Sequence, residues 1–402
     1  MGTVDPDPMA EYQILKPPPH PHRGRWTTLG VVVLLAAVGG GAYLIGHHRG
    51  HSSGGQAGTG SGSAASTTVP AVKALTVVST TPANGTAQVP SDQPLSVQLS
   101  SPVLAGSAMP TLTPPVAGTW KKTGPATLTF VAQAPLIPTA TETLTVPAGP
   151  DGLRAADGSV LAAPVTATFT VAQASTERLQ QLLAELNYLP LSFAAAQPLS
   201  APNQMLNPQD GNFTWRWPNT PASLTALWTE GSENVITKGA VMSFESQNGL
   251  TVDGLAGQQV WATLVANVAS NKINANPYTY VFVSKQLPEA LTLFENGAPI
   301  MANVAVNTGA PGADTTDGTY PVFEHVVSSR MQGTNPDGTT YDDPAVPWAS
   351  FFNGGDALHG FVRSTYGSPQ SNGCVEMPIA VAAQVWPLTP IGTLVTVVGP
   401  AS

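Results

Sequence analysis

HGFVRSTYGSPQSNGCVEMP, residues 359–378, is the stretch on which the chain's reading turns. It contains Cys374, the one cysteine among 402 residues. A lone thiol makes no internal disulfide, so it is either a small buried apolar side chain or a reactive group. His359 stands fifteen residues upstream, and FVRSTYGSPQSNG between them is loop-like, so the chain can fold back and bring imidazole beside thiol. Thiolate is the reactive species, and a neighbouring imidazolium lowers the thiol pKa below its free value of ~8.5, giving a pair poised near neutral pH. Gly373 permits a tight turn that presents the amides of Asn372, Gly373 and Cys374 toward one point, the geometry of an oxyanion hole. Of seven histidines, His20, His22, His47, His48 and His51 lie near the N-terminus, which leaves His325 and His359 as candidate bases. His325 sits in the strand-like run FEHVV, where a packed, satisfied histidine is expected rather than a second base.

Upstream, YTYVFVS (278–284) and ALTLFENGAPIMANVAVNTG (290–309) read as strands, the latter with an Asn-Gly hairpin turn. GTYPVFEHVV (318–327) follows, and then a loop rich in Asp, Gly and Pro. Asp342 and Asp343 in that loop read as turn residues rather than as a carboxylate pair. Trp348, Phe351 and Phe352 form an aromatic group that either packs in the core or contributes a side chain to a substrate groove. His359-Gly360, the fifteen-residue spacing, Ser371-Asn372-Gly373-Cys374-Val375 and the preceding DGTYPV together resemble the YkuD-type L,D-transpeptidase catalytic domain, over nearly all of residues 278–398.

That resemblance implies a cysteine acyltransferase acting on peptidoglycan stem peptides, both donor and acceptor. Cys374 would attack the amide after the third residue of a tetrapeptide stem, releasing terminal D-alanine, and an amine of a second stem would resolve the thioester. His359 would be the base, the Gly360 carbonyl would orient it, and the amides of 372–374 would hold the oxyanion. Ser371, Glu376, Trp348 and Phe352 are the substrate-binding candidates. Many relatives have His where Asn372 stands, and Arg or Asn where Glu376 stands. Glu376 reads either as a solvent-facing carboxylate or as a group that steers the acceptor's ammonium, and it can raise the thiol pKa by repulsion. Carbapenem-type β-lactams are expected to acylate Cys374, since their carbonyl suits a thiolate. Water as acceptor would make an L,D-carboxypeptidase, a protein amine an anchoring enzyme, and loss of activity a wall-binding spacer.

A chain of 402 residues calls for several folding units. With only 10% charged residues and 39 each of Gly and Pro, it suits short strands and turns, so a mainly β multidomain protein is expected. The net charge of -9 argues against nucleic acid as a partner. No cofactor or metal is expected; His47, His48 and His51 lie in a polar stretch that would bear the ordering cost of any site.

Residues 28–46 carry no charge and are close to the ~20 residues that a membrane-spanning helix needs. Lys16, Arg23 and Arg25 precede this span and Arg49 alone closely follows it, which places residues 1–27 in the cytoplasm and the remainder outside, at the cell wall. A cleaved signal peptide is the alternative, and it exports the same remainder. The Gly/Ser-rich residues 47–68 read as a flexible tether.

In 69–174, alternation at Leu95, Val97 and Leu99, at Leu128 and Phe130, at Leu144 and Val146, and at Ala167, Phe169 and Val171 reads as an antiparallel sandwich. The segments TPANGTAQVPSDQPLSVQLSSPV, GTWKKTGPATLTFVAQAPLIP and GLRAADGSVLAAPVTATFTV resemble bacterial immunoglobulin-like domains, which implies a spacer. In 175–270, Leu179, Leu182, Leu183 and Leu186 share one helical face, Val241 and Phe244 a second, and Val260, Trp261, Leu264 and Val265 a third. This part resembles the three-helix peptidoglycan-binding domain with an insertion from about Leu189 to Ile236, and implies contact with glycan strands. The catalytic domain is expected over 276–400.

Overall fold

In the computed structural model, which describes residues 74–399, the alternating runs become two facing sheets. Strands β1 (Val77–Thr81), β2 (Leu95–Leu99), β3 (Thr111–Thr113), β4 (Gly118–Gly124), β5 (Thr127–Ala132), β6 (Thr141–Val146) and β7 (Val165–Thr170) arrange as β1-β2-β5-β4 and β3-β6-β7. Antiparallel register sets Leu95 opposite Phe130 and Val97 opposite Leu128, so every second side chain enters one core. All ten residues of the expected alternation lie in that core. Glu142 of β6 also points inward, 2% exposed, and its Oε2 has no partner.

Helix α1 (Thr176–Glu185) starts where the Ser175 side chain accepts a hydrogen bond from the Arg178 amide. A hairpin of β8 (Leu191–Ala195) and β9 (Gly211–Trp215) and the short helix α2 (Ala222–Thr225) fill the expected insertion. Helix α3 (Val235–Gln247) is capped by Asn234, and α4 (Gln258–Ala269) follows a turn in which Glu245 accepts from the amides of Asp253 and Gly254. Their apolar faces meet in one core around Leu182, Leu183, Phe244, Trp261 and Leu264.

That core does not stop at the helices, because Tyr280 and Leu394 of the last part belong to it. Here β10 (Thr279–Ser284), β11 (Ala290–Glu295), β12 (Ala298–Ala305), β13 (Gly318–Pro321), β14 (Glu324–Thr334), β15 (Thr340–Asn353), β16 (Asp356–Gly360), β17 (Val375–Met377) and β18 (Leu394–Val398) form two sheets. Their orders are β12-β11-β10-β18-β13 and β14-β15-β16-β17. A further helix, α5 (Ile379–Val385), follows β17. The β11–β12 turn is the expected Asn296-Gly297, with φ of 49° and 78°.

The loop expected before His359 is instead a long hairpin of β14 and β15, and Asp342 and Asp343 are strand residues, opposite Gln332 and Met331. Its outer half buries no face on a core, so it lacks the hydrophobic period by which strands are read. Pro344 and Pro347 are tolerated there because β15 pairs with β16 only from Ser350 onward.

Among the described residues, no helix is long and apolar enough to cross a membrane. The expected tail 1–27, span 28–46 and tether 47–68 lie outside the described residues.

Candidate active site

Strands β16 and β17 run parallel, with Leu358 opposite Val375, His359 opposite Glu376 and Gly360 opposite Met377. Leu358, Val375 and Met377 enter the core. Alternation therefore sends His359, Glu376 and Cys374 to the other face, where they line a cavity of about 510 Å³ beneath the β14–β15 hairpin. The register of two short strands thus brings imidazole and thiol to one wall.

His359 is buried, and its Nδ1 lies 3.1 Å from the Gly360 carbonyl. A carbonyl only accepts, so Nδ1 carries the proton and Nε2 keeps its lone pair. Burial holds the imidazole below its usual pKa, against the opposing pull of the Gly360 carbonyl and Glu376. Cys374 is half-buried, with Sγ 3.5 Å from the Gly355 carbonyl. Burial pushes its thiol up to about 12, and the charges of Asp356 and Glu376 add to that. Both shifts favour neutral forms. Burial thus works against the thiolate–imidazolium pair expected near pH 7, because it penalises each charged partner.

The loop before Cys374 is strapped from below. The amides of Gln370 and Ser371 donate to the Thr308 carbonyl at 2.8 and 3.0 Å, and the Ala310 amide donates to the Ser371 carbonyl at 2.8 Å. Thr308 is itself fixed by Glu289, through its amide at 2.7 Å and its hydroxyl at 2.6 Å. Gly373 has φ of 106°, and a Cβ there would come within 2.6 Å of Asp356 Oδ1. Both facts require glycine. From above, Asn372 Nδ2 donates to Asn335 Oδ1, at the tip of the hairpin, at 2.6 Å.

Several substrate-binding expectations change here. Ser371 is buried, and its hydroxyl donates to the Cys374 carbonyl, so it braces the loop instead of facing a ligand. Phe352 is packed in the core, and Trp348 lies against Trp386, ring centroids 5.5 Å apart, away from the cavity. Phe351, one residue along, is the aromatic of that group that lines it. Glu376 is not solvent-facing: it is 4% exposed and takes a bidentate pair from Arg363, Nε and Nη2 each at 2.8 Å. His325 stacks on Trp386 at 4.0 Å and bonds Ser350, and burial lowers it to about 4. It takes no part in the cavity. The lining also includes Tyr341, Asp343, Asp356, Phe361 and Arg363, none of which was singled out from the sequence as a site residue.

Residues 278–397 match the family model of the L,D-transpeptidase catalytic domain, and residues 71–171 match that of the bacterial Ig-like domain. No curated protein matches the chain. Among solved structures, an L,D-transpeptidase from Mycobacterium smegmatis is 12% identical over 81% of this chain and 100% of that one, with a TM-score of 0.28. L,D-transpeptidase 3 from Mycobacterium tuberculosis, in complex with a faropenem-derived adduct, is 13% identical over 80% and 97%, with a TM-score of 0.28. The catalytic domain of the E. faecium L,D-transpeptidase is 23% identical over 31% and 100%, with a TM-score of 0.27. The chain thus carries an L,D-transpeptidase catalytic domain, with its one cysteine in the cavity, behind an Ig-like domain.

Proposed function

We propose that this L,D-transpeptidase cross-links peptidoglycan through a thioester on Cys374, with His359 as the proton carrier. The observation that carries this reading is the common wall: His359 and Cys374 face one cavity from adjacent parallel strands, with Nδ1 tied back to Gly360. When a tetrapeptide stem binds, the thiol gives its proton to His359 Nε2 as sulfur attacks the carbonyl of the third residue. The amides of Asn372, Gly373 and Cys374 receive the oxyanion, each well-aimed donor lowering the barrier by ~3 kcal/mol. His359 then returns the proton to the departing D-alanine amine. The amine of a second stem attacks the thioester, the C–S bond breaks, and the thiol is restored. Burial that disfavours both charged forms suits this cycle, since charge is then called for only when the carbonyl is in place to use it.

The same thiol would open the ring of a carbapenem-type β-lactam and keep its acyl group. The helical module, read as a peptidoglycan-binding domain, would hold glycan near the site, and a span at residues 28–46 would anchor the catalytic domain outside the cytoplasm. The test is mass spectrometry of the full chain incubated with tetrapeptide muropeptides, beside its Cys374→Ala variant. Dimers linked between two third-position residues, absent with the variant, are expected. Tripeptide alone would mark a carboxypeptidase, and unchanged substrate would overturn the enzyme reading.

A further inference from the structure

The cavity around Cys374 holds both cationic and anionic side chains, and their pairing decides what charge it offers a ligand. Arg330 is engaged by Asp342, with Nε 2.7 Å and Nη2 2.5 Å from its carboxylate. Arg363 is engaged by Glu376, as above. Both cations of the lining are therefore matched within the protein. Asp356 is half-buried, receives the Thr316 amide and the Asn353 side-chain amide, each at 3.4 Å, and is raised above the usual carboxylate range by burial. Asp343 is different: among the described residues its carboxylate has neither a salt bridge nor a side-chain hydrogen bond.

Its direction follows from the strand. Tyr341 and Asp343 are two apart on β15 and both line the cavity, while Asp342 between them does not. Asp343 therefore faces the cavity that His359 and Cys374 also line. Glu376, the sequence's candidate for steering the acceptor, is already occupied. After acylation the cavity holds a neutral thioester and two carboxylates without a cationic partner, Asp343 and the more buried Asp356, an arrangement that favours a cation.

We propose that Asp343 is the specificity-determining residue that docks the side-chain ammonium of the acceptor stem over the Cys374 thioester. This rests on the transpeptidase reading and deepens it, because Asp343 would decide how the acyl-enzyme divides between amine and water. The docked ammonium loses one proton to His359, which is neutral again after releasing D-alanine. The free amine nitrogen attacks the thioester carbon, the C–N bond forms as the C–S bond breaks, and the departing sulfur takes the proton back from His359. The second proton of the attacking nitrogen leaves to solvent, so the step balances as thioester plus ammonium giving amide, thiol and one proton.

The experiment follows the partition of one acyl-enzyme, so that differences in its rate of formation drop out. Full chain and Asp343→Asn are given tetrapeptide donor and a graded concentration of a lysine-type or diaminopimelate-type acceptor stem, and dimer and tripeptide are counted by mass spectrometry. In Asp343→Asn the acceptor concentration giving half-maximal dimer should rise about tenfold, the scale of one charge-assisted contact, with the maximal dimer yield recovered at saturation. Asp343→Glu should restore most of the loss. Raising ionic strength should weaken acceptor use by the parent and leave the Asn variant nearly unmoved. An unchanged half-maximal concentration in Asp343→Asn overturns the proposal, as does an equal salt response. A parent that forms thioester but yields only tripeptide overturns it while keeping the thiol chemistry; a parent that forms no thioester overturns the transpeptidase reading itself.

Discussion

Replacing Arg363 with Met keeps most of the side-chain stem and removes the charge that matches Glu376. The Arg363 side chain is 31% exposed and that of Glu376 only 5%, so the carboxylate is left behind in a poorly solvated place. Breaking a buried pair from one side costs about 3–5 kcal/mol, and water reaching the guanidinium side argues for the lower end, ~3 kcal/mol. Glu376→Gln alone gives up the charge-assisted part of two hydrogen bonds, about 1–2 kcal/mol. In the double variant no charge is stranded, so its cost should fall about 2 kcal/mol short of the sum of the two singles. Urea unfolding, with iodoacetamide trapping of Cys374 as a probe local to the catalytic part, measures this cycle. Activity should follow the same order, because an unmatched Glu376 adds negative charge beside a thiol that must become thiolate. Single-variant costs that simply add, within about 0.5 kcal/mol, would refute the reasoning, since distant independent sites add to that extent.

Alkylation of Cys374 by iodoacetamide at pH 7 should be about a hundredfold or more slower than that of free cysteine and should keep rising through pH 10; a plateau below pH 9 would contradict a thiol held near 12. Glu142, buried without a partner, is raised to about 7 in the folded protein from a reference of 4.5. The folded state then binds the extra proton between those values, so stability contributed by the protonated form is lost as pH rises from 4.5 through about 7. Thermal melts of Glu142→Gln should show the variant gaining on the parent across that window, and parallel curves would remove the effect.

What the sequence disclosed and what it hid follow one physical line. That Cys374 and His359 meet at one cavity and that Gly373 makes a turn were legible because both rest on local features: a thiol, an imidazole at loop distance, and a turn that needs glycine. The sandwich and the three helices were legible because each buries one face and so leaves a period in the sequence. The β14–β15 hairpin buries little, leaves no period, and so hid Tyr341 and Asp343 in what read as a loop. Phe351 and Phe352 show how fine the margin is, because neighbours on a strand face opposite ways and one residue decides between cavity and core. Glu376 was assigned to solvent or substrate because its partner, Arg363, is brought to it by a loop whose path no local rule specifies.

The packing also bears on how the site is carried. Gly239 of α3 comes so close to the Gly392 carbonyl that a Cβ would lie 2.7 Å from it, and Tyr280 and Leu394 share the helical core. Helices and catalytic sheet therefore share part of one apolar interior, beside the catalytic part's own core. The Ig-like part meets the helical part differently. Asn207 donates to the Asp92 carboxylate at 2.8 Å and Asn203 to the Asp92 carbonyl at 3.3 Å, and Ile137 of the sandwich packs against both cores, so among the described residues no fully buried side chain is shared across this boundary. Two polar contacts and one half-buried side chain part at less cost than a shared core of buried residues. Any motion that carries the thiol between donor and acceptor stems should then bend at the sandwich boundary, with helices and catalytic domain moving together.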